Sequence, residues 1–410
     1  MSAETPCGIR HVDLAGPMTD LACERDEATL LVIFWWDGFP LGRRMFTRGE
    51  TPVPSTALLA LGADAIADAL AARAEIPDPS TPGTLAEAVR RGSAAVDARL
   101  SVIVCTRDRP QDLRRCLESL ARCRPAPDEI IVVDNGAGRG ELRSIVEAVP
   151  AAILVTEPRI GLSRARNTGI GAAHGDILVF TDDDVEVPST WLAPIRAAFA
   201  DPKVGCVTGQ VLPARLDTAA AFCFELDYGG LAGSQLPRSF DAAFLAQPFG
   251  EAPPVWMIGA GANMAIRRAV FDQIGRFDER LGAGATGCSE DSEFFHRALA
   301  AGLVCRYEPL SHVFHYHRDS LSALRSQMRA YMRGHVAALL VQFGDSRHPG
   351  NLMRAFVGLP WYFSTLGLRL LFSPIGLRRK VLPWEIWGFL EAPFALLRRA
   401  RQPKFSSDQE

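Results

Sequence analysis

The sequence predicts an α/β protein in which a mostly parallel sheet carries helices on both faces. First, apolar runs typical of buried strands alternate with helical patterns between residues 99 and 182. Second, apolar residues make up 48% and charged residues 22% of the 410 residues, an ordinary balance for a folded chain of two or three domains. Third, a polar cluster follows each of three strand runs, and such sheets bind ligands beyond the carboxyl ends of their strands.

Composition divides the chain into four segments. We expect a small accessory domain, a linker, the sheet domain and a helical segment, at 1–75, 76–98, 99–320 and 321–410. In the accessory domain a pair of apolar runs flanks Asp37-Gly38 and predicts a β-hairpin, and an alanine-rich helical pattern follows at 57–74. The prolines and glycine of "EIPDPSTPGT" predict the linker.

The sheet domain begins with a buried strand from Leu100 to Cys105 and a helix that starts at Pro110. "DEIIVVDNG", "AAILVTEP" and "DILVFTDDD" predict three further strands. Before the last of these, "GLSRARNTGIGAAHG" predicts a helix that ends at Gly175. Farther along, "LVCRYEPLSHVFHYHR" predicts one more strand. Strand and helix in alternation favour parallel strands with crossover helices.

Charge is concentrated at the end of a chain whose net charge is −3, a value that gives no pull toward nucleic acid. Between Arg347 and Lys404 ten basic residues face two acidic ones. The longest uncharged run there, from Ala355 to Leu368, contains Pro360 and is too short for a simple spanning helix. Tryptophans mixed with arginines suit a membrane surface, although helices packed on the core with a solvated basic face fit as well. We expect peripheral membrane association.

The nine cysteines are scattered and contain no CxxC pair, which indicates reduced thiols. "MSAETPCGIR" lacks the long apolar core of a secretory signal. We therefore expect a cytoplasmic protein on the inner face of the membrane.

Three aspartates, Asp182, Asp183 and Asp184, end the strand "DILVFTDDD" without a Lys or Arg beside them. Side chains alternate along an extended chain, so Asp182 and Asp184 should face one side and Asp183 the other. A Mg²⁺ or Mn²⁺ ion would offset two converging carboxylates and would bring phosphate oxygens as further ligands. A solvated acidic turn explains the same residues, and the spacing alone leaves both interpretations open.

Other candidates have equally plain structural explanations. Asp134 could accept an N–H from a uracil or thymine base, or could form an Asx-turn with its neighbours. Arg164 and Arg166 could bind a diphosphate or lie on the surface. Glu290-Asp291 opens a helix, where an ionised carboxylate can act as a general base or serve only the helix terminus.

Three histidines, His312, His315 and His317, form a cluster in the last predicted strand. His315 and His317 should share one face of that strand, and one of them could bind a metal near a carboxylate site. A structural role is equally compatible with the sequence.

The order of seven blocks is more specific than any one of them. "SVIVCTRDRPQDLRRCLESL", "EIIVVDNG", "RIGLSRARNTGI", "GDILVFTDDDVEVPSTWL", "GAGANMAIRR", "FDERLG" and "SEDSEFFHRA" follow each other between Leu100 and Arg318. This set resembles the family 2 glycosyltransferases, over roughly half of the chain. The resemblance implies the GT-A fold and an inverting, metal-dependent transfer of sugar from a nucleotide-diphosphate donor.

The resemblance also implies roles for matching positions. Asp291 would be the general base with Glu290 orienting the acceptor or the base, and Asp182 and Asp184 would hold Mn²⁺ or Mg²⁺, completed by His315 or His317. The expected nucleotide-sugar contacts are Thr106, Arg107, Asp134, Arg166, Asp182 and Asp183. Of the three aspartates, Asp183 is the one we expect to tolerate change best.

Two departures from the family pattern bear on the substrate. "TRDR" stands where many members have "TYNR", so Arg107 replaces a ring that could stack on the base. No QxxRW block follows "SED", which argues against a processive polysaccharide synthase. The resemblance implies a hexosyl- or deoxyhexosyltransferase. The basic, aromatic C-terminal segment favours an acceptor of lipid-linked or cell-envelope glycan biosynthesis, and Asp134 alone favours UDP- or dTDP-sugars over GDP-sugars. The alternatives are a non-catalytic protein of the same fold that binds nucleotide sugar or membrane, and a nucleotidyltransferase.

Overall fold

The structure, a computed structural model, describes most of the chain. The described residues are 6–36, 38–58, 60, 96–136, 140–231, 233–248, 251–372 and 376–400. The helix expected at 57–74 and the linker expected at 76–98 lie almost entirely outside the described residues.

The central sheet is mixed and contains nine strands of the described chain. Its strands are β4 (Leu100–Thr106), β5 (Glu129–Asp134), β6 (Ala152–Thr156), β7 (Ile177–Asp182), β8 (Val185–Glu186), β9 (Val204–Pro213), β10 (Arg238–Phe240), β11 (Asn263–Arg267) and β12 (Val304–His315). They lie in the order β10-β12-β9-β11-β7-β4-β5-β6, with β8 paired to β12. The predicted strands are all present, and the block β7-β4-β5-β6 is parallel as expected.

The other half of the sheet breaks the parallel pattern. β11 runs antiparallel to both of its neighbours, β7 and β9, and β12 is parallel to β9. Within the parallel block Thr106 pairs with Asp134, and Cys105 pairs with Asp182. This register brings the polar clusters of the predicted strand ends to one edge of the sheet.

Helices cover both faces of the sheet. The helices of this domain are α1 (Pro110–Ala121), α2 (Glu141–Glu147), α3 (Leu162–Ala172), α4 (Leu192–Ala198), α5 (Ala219–Phe222), α6 (Arg268–Ile274) and α7 (Glu290–Ala300). α1, α2 and α4 pack on the face that carries Val102 and Val132. α3, α6 and α7 pack on the opposite face around Phe180. α3 ends at Ala172, three residues before the Gly175 that the sequence indicated, and a loop then leads into β7.

A three-stranded sheet precedes this domain. β2 (Thr29–Trp36) and β3 (Phe39–Thr47) form the predicted antiparallel hairpin, and β1 (Cys7–Asp13) adds a parallel strand that the sequence pattern did not indicate. We call β1–β3 the N-terminal sheet. It packs against β12, where the rings of Trp35 and His312 lie 4.7 Å apart between centroids.

The C-terminal segment is helical as expected. It contains α8 (Leu321–Ser346), α9 (Pro349–Met353), α10 (Leu359–Phe372) and α11 (Arg378–Ala400). α11 runs along α8, and Glu391 of α11 pairs with Arg329 and Arg333 of α8. Among the described residues, no helix combines the length and the apolar character that crossing a bilayer requires.

Candidate functional site

A cleft of about 1080 Å³ opens at the sheet edge where the polar strand ends meet. Its walls come from β4, β7, the glycine-rich turn before β11, the start of α7 and one side of α8. The residues that line it include Thr106, Arg107, Arg166, all three aspartates, Glu290, Asp291 and His315. The structure therefore brings most of the sequence-predicted site residues into one cleft.

The aspartates lie at and after the end of β7. Asp182 and Asp184 turn toward His315 at the end of β12. One ligand atom from each of these three residues lies within 4.8 Å of the other two, a donor set able to hold a divalent ion. Carboxylates suit Mg²⁺ and Mn²⁺ alike, whereas an imidazole favours the transition metal.

Arginines from distant regions of the sequence supply the positive charge that the local sequence lacks. Arg109 Nη1 lies 2.7 Å from Asp184 Oδ2 and 3.2 Å from Asp183 Oδ1. Arg318 Nη1 lies 3.5 Å from Asp184, and Arg166 Nη2 lies 3.4 Å from Asp182. Protein cations from elsewhere in the chain therefore offset part of the carboxylate charge, which the local sequence did not indicate. The case for an ion depends instead on the convergence with His315.

Asp183 is buried, with 5% of its surface exposed, and lies outside the set of Asp182, Asp184 and His315, which we call the metal group. It accepts a 2.7 Å hydrogen bond from the Thr106 hydroxyl and one from Arg109. The expectation that Asp183 tolerates substitution best is replaced by the opposite one, because a change there would leave the buried Thr106 hydroxyl without this acceptor and would remove one of the two carboxylates that Arg109 contacts.

Burial and neighbouring charge shift the pKa values of the three carboxyls in different directions. Burial raises the pKa of Asp182, and burial together with the charge of Asp184 raises the pKa of Asp183 to about 7. Burial would also raise the pKa of Asp184, but His315, Arg318 and Arg109 outweigh it and lower that pKa. Asp184 thus stays an ionised ligand across the physiological range.

The two histidines of the prediction have different positions. His315 ends β12, and its Nε2 lies 3.3 Å from Asp184 Oδ1. His317 lies beyond the strand, so the two do not share a strand face as predicted, although their Nδ1 atoms are 3.0 Å apart. The Nε2 atom of His317 lies 3.0 Å from Glu225. His317 therefore contacts His315 and is not part of the metal group.

The "SED" motif forms a strained entry to α7. Ser289 has a φ of 68°, in the left-handed region that few non-glycine residues adopt, and Glu290 and Asp291 follow it. Asp291 is partly exposed in the cleft; its Oδ2 accepts a 2.7 Å hydrogen bond from the Gly261 backbone and its Oδ1 accepts one from Ser292. One carboxylate thus faces the cleft from a fixed position.

Glu290 is buried and points from α7 toward α3. Its Oε1 accepts a 2.6 Å hydrogen bond from Arg166 Nη1. Burial raises the pKa of Glu290 to about 7, since the charge of Arg166 only partly offsets the loss of water. Arg166 also donates to Asp182 and to the Gly261 carbonyl, so it connects the metal group with the helix that carries Asp291. Arg164, by contrast, pairs with Glu279.

Three of the predicted nucleotide contacts, Thr106, Arg107 and Asp134, lie at or just after the ends of β4 and β5. Arg107 is exposed, and the Thr106 hydroxyl is engaged with Asp183. Asp134 Oδ1 accepts a 2.8 Å hydrogen bond from the Gly136 backbone, the Asx-turn that the sequence also allowed. Asn135, rather than Asp134, is among the residues that line the cleft.

α8 forms a wall of the cleft that was not predicted from the sequence. Gln327 and Tyr331 of this helix line the cleft opposite the sheet. Gly334 lets α8 approach closely, because a Cβ there would lie 2.3 Å from the Cys288 backbone nitrogen in the loop before α7. A second glycine, Gly388, brings α11 equally close to α8, since a Cβ there would lie 2.2 Å from the Arg329 carbonyl oxygen. The helical sequence pattern of α8 does not indicate that this helix lines a cleft.

The family model for glycosyl transferase family 2 matches residues 101–275, from β4 to the residue that follows α6. Residues 101–275 are a family 2 glycosyltransferase domain. The match includes the three aspartates and Arg166 and ends before Glu290.

Similarity to curated proteins extends beyond the residues that the family model matches. A "Pre-mycofactocin glycosyltransferase" of Mycobacterium tuberculosis is 29% identical over 260 residues, 61% of this chain and 49% of the relative. An "O-antigen biosynthesis protein RfbC" of Myxococcus xanthus is 29% identical over 256 residues, 60% of this chain and 19% of the relative. The chain thus spans half or less of the length of these relatives.

A solved structure confirms the fold. The mannosyltransferase PcManGT from Pyrobaculum calidifontis, in complex with GDP-Man and Mn²⁺, is 19% identical with a TM-score of 0.52. The likeness covers 72% of this chain and 87% of the mannosyltransferase. The glycosyltransferase domain therefore has the predicted GT-A fold, with a three-stranded sheet before it and a helical segment after it.

Proposed function

We propose that this protein is a metal-dependent, inverting glycosyltransferase that moves a sugar from a nucleotide diphosphate to an acceptor hydroxyl. One observation carries the proposal: the metal group of Asp182, Asp184 and His315 and the partly exposed carboxylate of Asp291 line a single cleft, and Arg166 connects them. A cation site and an ionised carboxylate in one cleft provide the two functions that sugar transfer from a diphosphate requires.

In this proposal the reaction is a single displacement. Asp291, held by the Gly261 N–H, takes the proton of the acceptor hydroxyl as that oxygen attacks the anomeric carbon from the face opposite the diphosphate. The bond from the anomeric carbon to the diphosphate oxygen breaks, and the diphosphate leaves with its electron pair. Arg109, Arg318 and exposed Arg107 line the same cleft and would stabilise that negative charge.

Asp182, Asp184 and His315 would hold the ion, with Mn²⁺ the better fit to a set that includes an imidazole. When bound, the ion would neutralise charge on the diphosphate. Glu290 would orient Asp291 through the shared first turn of α7 and hold Arg166 in place.

For the donor we propose a UDP- or dTDP-sugar, with Asp134 near the base and a hexose or deoxyhexose as the sugar. Asp134 has one carboxylate oxygen in the Asx-turn and stands at the strand end next to Asn135, which lines the cleft. A GDP-sugar is the second candidate, because the mannosyltransferase of the same fold binds GDP-Man.

We also propose that the acceptor is lipid-linked or belongs to a cell-envelope glycan, and that the protein works at the inner face of the cytoplasmic membrane. The support is an apolar stripe on the exposed face of α11, formed by Trp384, Trp387, Leu390, Phe394 and Leu397. Trp387, Leu390, Phe394 and Leu397 are 59–66% exposed, which is unusual for large apolar side chains in one row.

Basic residues flank the stripe at both ends of α11. Arg379 and Lys380 precede it and Arg398 follows it, and all three are exposed. Trp361 of α10, 71% exposed, adds a further aromatic side chain to this segment. An apolar row framed by cations is the arrangement that lies in an anionic bilayer surface.

The experiment is a panel of UDP-, dTDP- and GDP-sugars with Mn²⁺ or Mg²⁺, read by thermal shift and by nucleotide release in the presence of membrane lipid extract. We expect one donor class to stabilise the wild type only when metal is present, and Asp184→Ala to abolish that shift. Binding without sugar transfer to any lipid would favour the non-catalytic alternative. Release of pyrophosphate from a nucleoside triphosphate would favour a nucleotidyltransferase.

A further inference from the structure

A row of buried polar side chains joins the metal group to the N-terminal sheet. Arg43 of β3 forms an ion pair with Glu225, whose Oε2 lies 3.0 Å from His317 Nε2. His317 Nδ1 lies 3.0 Å from His315 Nδ1, and His315 Nε2 reaches Asp184. Glu225 is 0% exposed and both imidazoles are buried, so each group depends on the next for its hydrogen bonds.

The atom that carries each hydrogen in this row can be deduced from the groups at its two ends. With Arg43 beside it, the Glu225 carboxylate only accepts hydrogen bonds, so the hydrogen between it and His317 lies on His317 Nε2. An imidazole that binds an ion through Nε2 carries its hydrogen on Nδ1 and needs an acceptor there, and His317 Nδ1 lies 3.0 Å from His315 Nδ1. His315 must then donate from Nδ1. Its Nε2 is the atom that faces Asp184 and is available to an ion.

We propose that Arg43, Glu225 and His317 are positioning residues that fix His315 as a metal ligand through Nε2. The inference rests on the proposed function, because it assumes that the metal group binds an ion. It assigns a role to the N-terminal sheet, in which no chemistry is visible from sequence: the sheet supplies the charge at the far end of the row. Groups behind a metal-binding imidazole fix its orientation and the site of its hydrogen.

Packing contacts surround this row. Glu225 lies in a π-helical turn, Cys223–Asp227, and the neighbouring Phe224 packs the edge of its ring against His317 with centroids 4.9 Å apart. The N-terminal sheet contacts β12, the strand that carries His315, through His11 and Phe314, whose ring centroids lie 5.5 Å apart. The sheet that carries Arg43 thus packs directly on the strand that carries His315.

The test measures Mn²⁺ affinity and histidine tautomers in the full-length protein. Mn²⁺ alone is titrated and followed by electron paramagnetic resonance of the free ion. We expect Arg43→Met and Glu225→Gln to weaken Mn²⁺ binding about 10–100-fold. Arg43→Lys keeps the charge and should recover most of the affinity. Arg44→Met, a change at the next residue on the other side of the strand, should bind like the wild type.

A second readout does not depend on the ion. In ¹⁵N-histidine spectra of the metal-free wild type, His317 should carry its hydrogen on Nε2 with an unprotonated Nδ1. Variant affinities within twofold of the wild type, with melting temperatures unchanged, would overturn the proposal, and so would an Nδ1–H tautomer of His317. A wild type that binds no Mn²⁺ would overturn the metal site of the proposed function as well, so the two failures are distinct.

Discussion

Arg166 and Glu290 form a buried ion pair across the two motifs of the site, with 2.6 Å between Nη1 and Oε1. Arg166 is 2% and Glu290 5% exposed. The first residue belongs to α3, which follows β6, and the second begins α7, more than a hundred positions later in the chain. This pair fixes the helix that bears Asp291 relative to the aspartates of β7.

Replacing Arg166 by Met should destabilise the protein by about 3–5 kcal/mol, because Glu290 would remain buried without its partner. Urea unfolding followed by circular dichroism measures the loss. Arg143→Met is the matched control, since Arg143 is 75% exposed in its pair with Glu147, and it should change the free energy of unfolding by about 0.5 kcal/mol or less. Equal effects of the two changes would contradict the inferred burial of the pair.

Asp291→Asn should leave donor binding unchanged and lower the transfer rate about 10²–10⁴-fold, because the amide still accepts from Gly261 but cannot take the acceptor proton. Isothermal titration with the donor and a turnover assay give the two quantities. Asp272→Asn, an acidic change on α6, is the control for a nonspecific loss of charge. Transfer at the wild-type rate by Asp291→Asn would refute the assignment of the base.

Asp183→Ala should lower stability by about 1–3 kcal/mol, because Thr106 and Arg109 lose their buried acceptor. Asp183→Asn keeps an oxygen for the Thr106 hydroxyl and should be milder. Thermal unfolding of both variants without metal measures the difference. If Ala is tolerated as well as Asn, the hydrogen bonds of Asp183 contribute little and the original expectation of tolerance stands.

Glu157 should contribute a stability that depends on pH. Its carboxylate accepts hydrogen bonds from Arg159 and Thr168, which outweigh the effect of burial and lower its pKa from 4.5 to about 2. A lowered pKa in the folded state stabilises the protein above pH 4.5, and the contribution disappears as pH falls toward 2.

Glu157→Gln should therefore be less stable than the wild type by about 1–3 kcal/mol near neutral pH, with the difference closing in acid. Urea unfolding of both proteins across the acidic range measures this slope. Glu147→Gln is the control because that side chain is 67% exposed. A difference that stays constant with pH would show that the amide disrupts packing and that the charge is not involved.

The apolar stripe of α11 should anchor the protein to anionic vesicles. Changing Trp387, Leu390 and Phe394 together to Ser should weaken vesicle binding at least tenfold, since each large side chain that enters the membrane contributes about 1.5–3 kcal/mol. Flotation with vesicles that contain phosphatidylglycerol measures binding, and vesicles of phosphatidylcholine alone test the charge requirement. Ile153→Ser, at an apolar position 47% exposed on β6, should float like the wild type. Unaltered flotation of the triple variant would exclude the stripe as the anchor.

The parallel half of the sheet was predictable because buried strands and crossover helices have strong local patterns. The runs that became β4, β5 and β7 are continuous and apolar, and their register places Thr106, Asp134 and Asp182 at one edge. β1 was missed because half of its residues are polar or exposed. Its pairing with β2 depends on tertiary contacts.

The partners of the site residues were not predictable from local sequence. Arg109 and Arg318 reach Asp184 from positions 75 residues before it and more than a hundred residues after it. Glu225, which backs His317, lies in a segment without any recognisable motif. Sequence spacing gives the side on which a carboxylate lies, whereas the charges around it depend on how distant loops fold together.

The close packing of α11 on α8, and of α8 on the loop before α7, has a consequence for substrate selection. If α11 lies on the bilayer, the packing of α11, α8 and the loop before α7 sets the height of Asp291 above the lipid surface. Gly388 and Gly334 bring these three elements into close contact. In the proposed transfer reaction, the protein would then measure the distance from the lipid surface to the acceptor hydroxyl. Only an acceptor whose hydroxyl stands at that height would reach the carboxylate, and the length of the acceptor's head group would select the substrate.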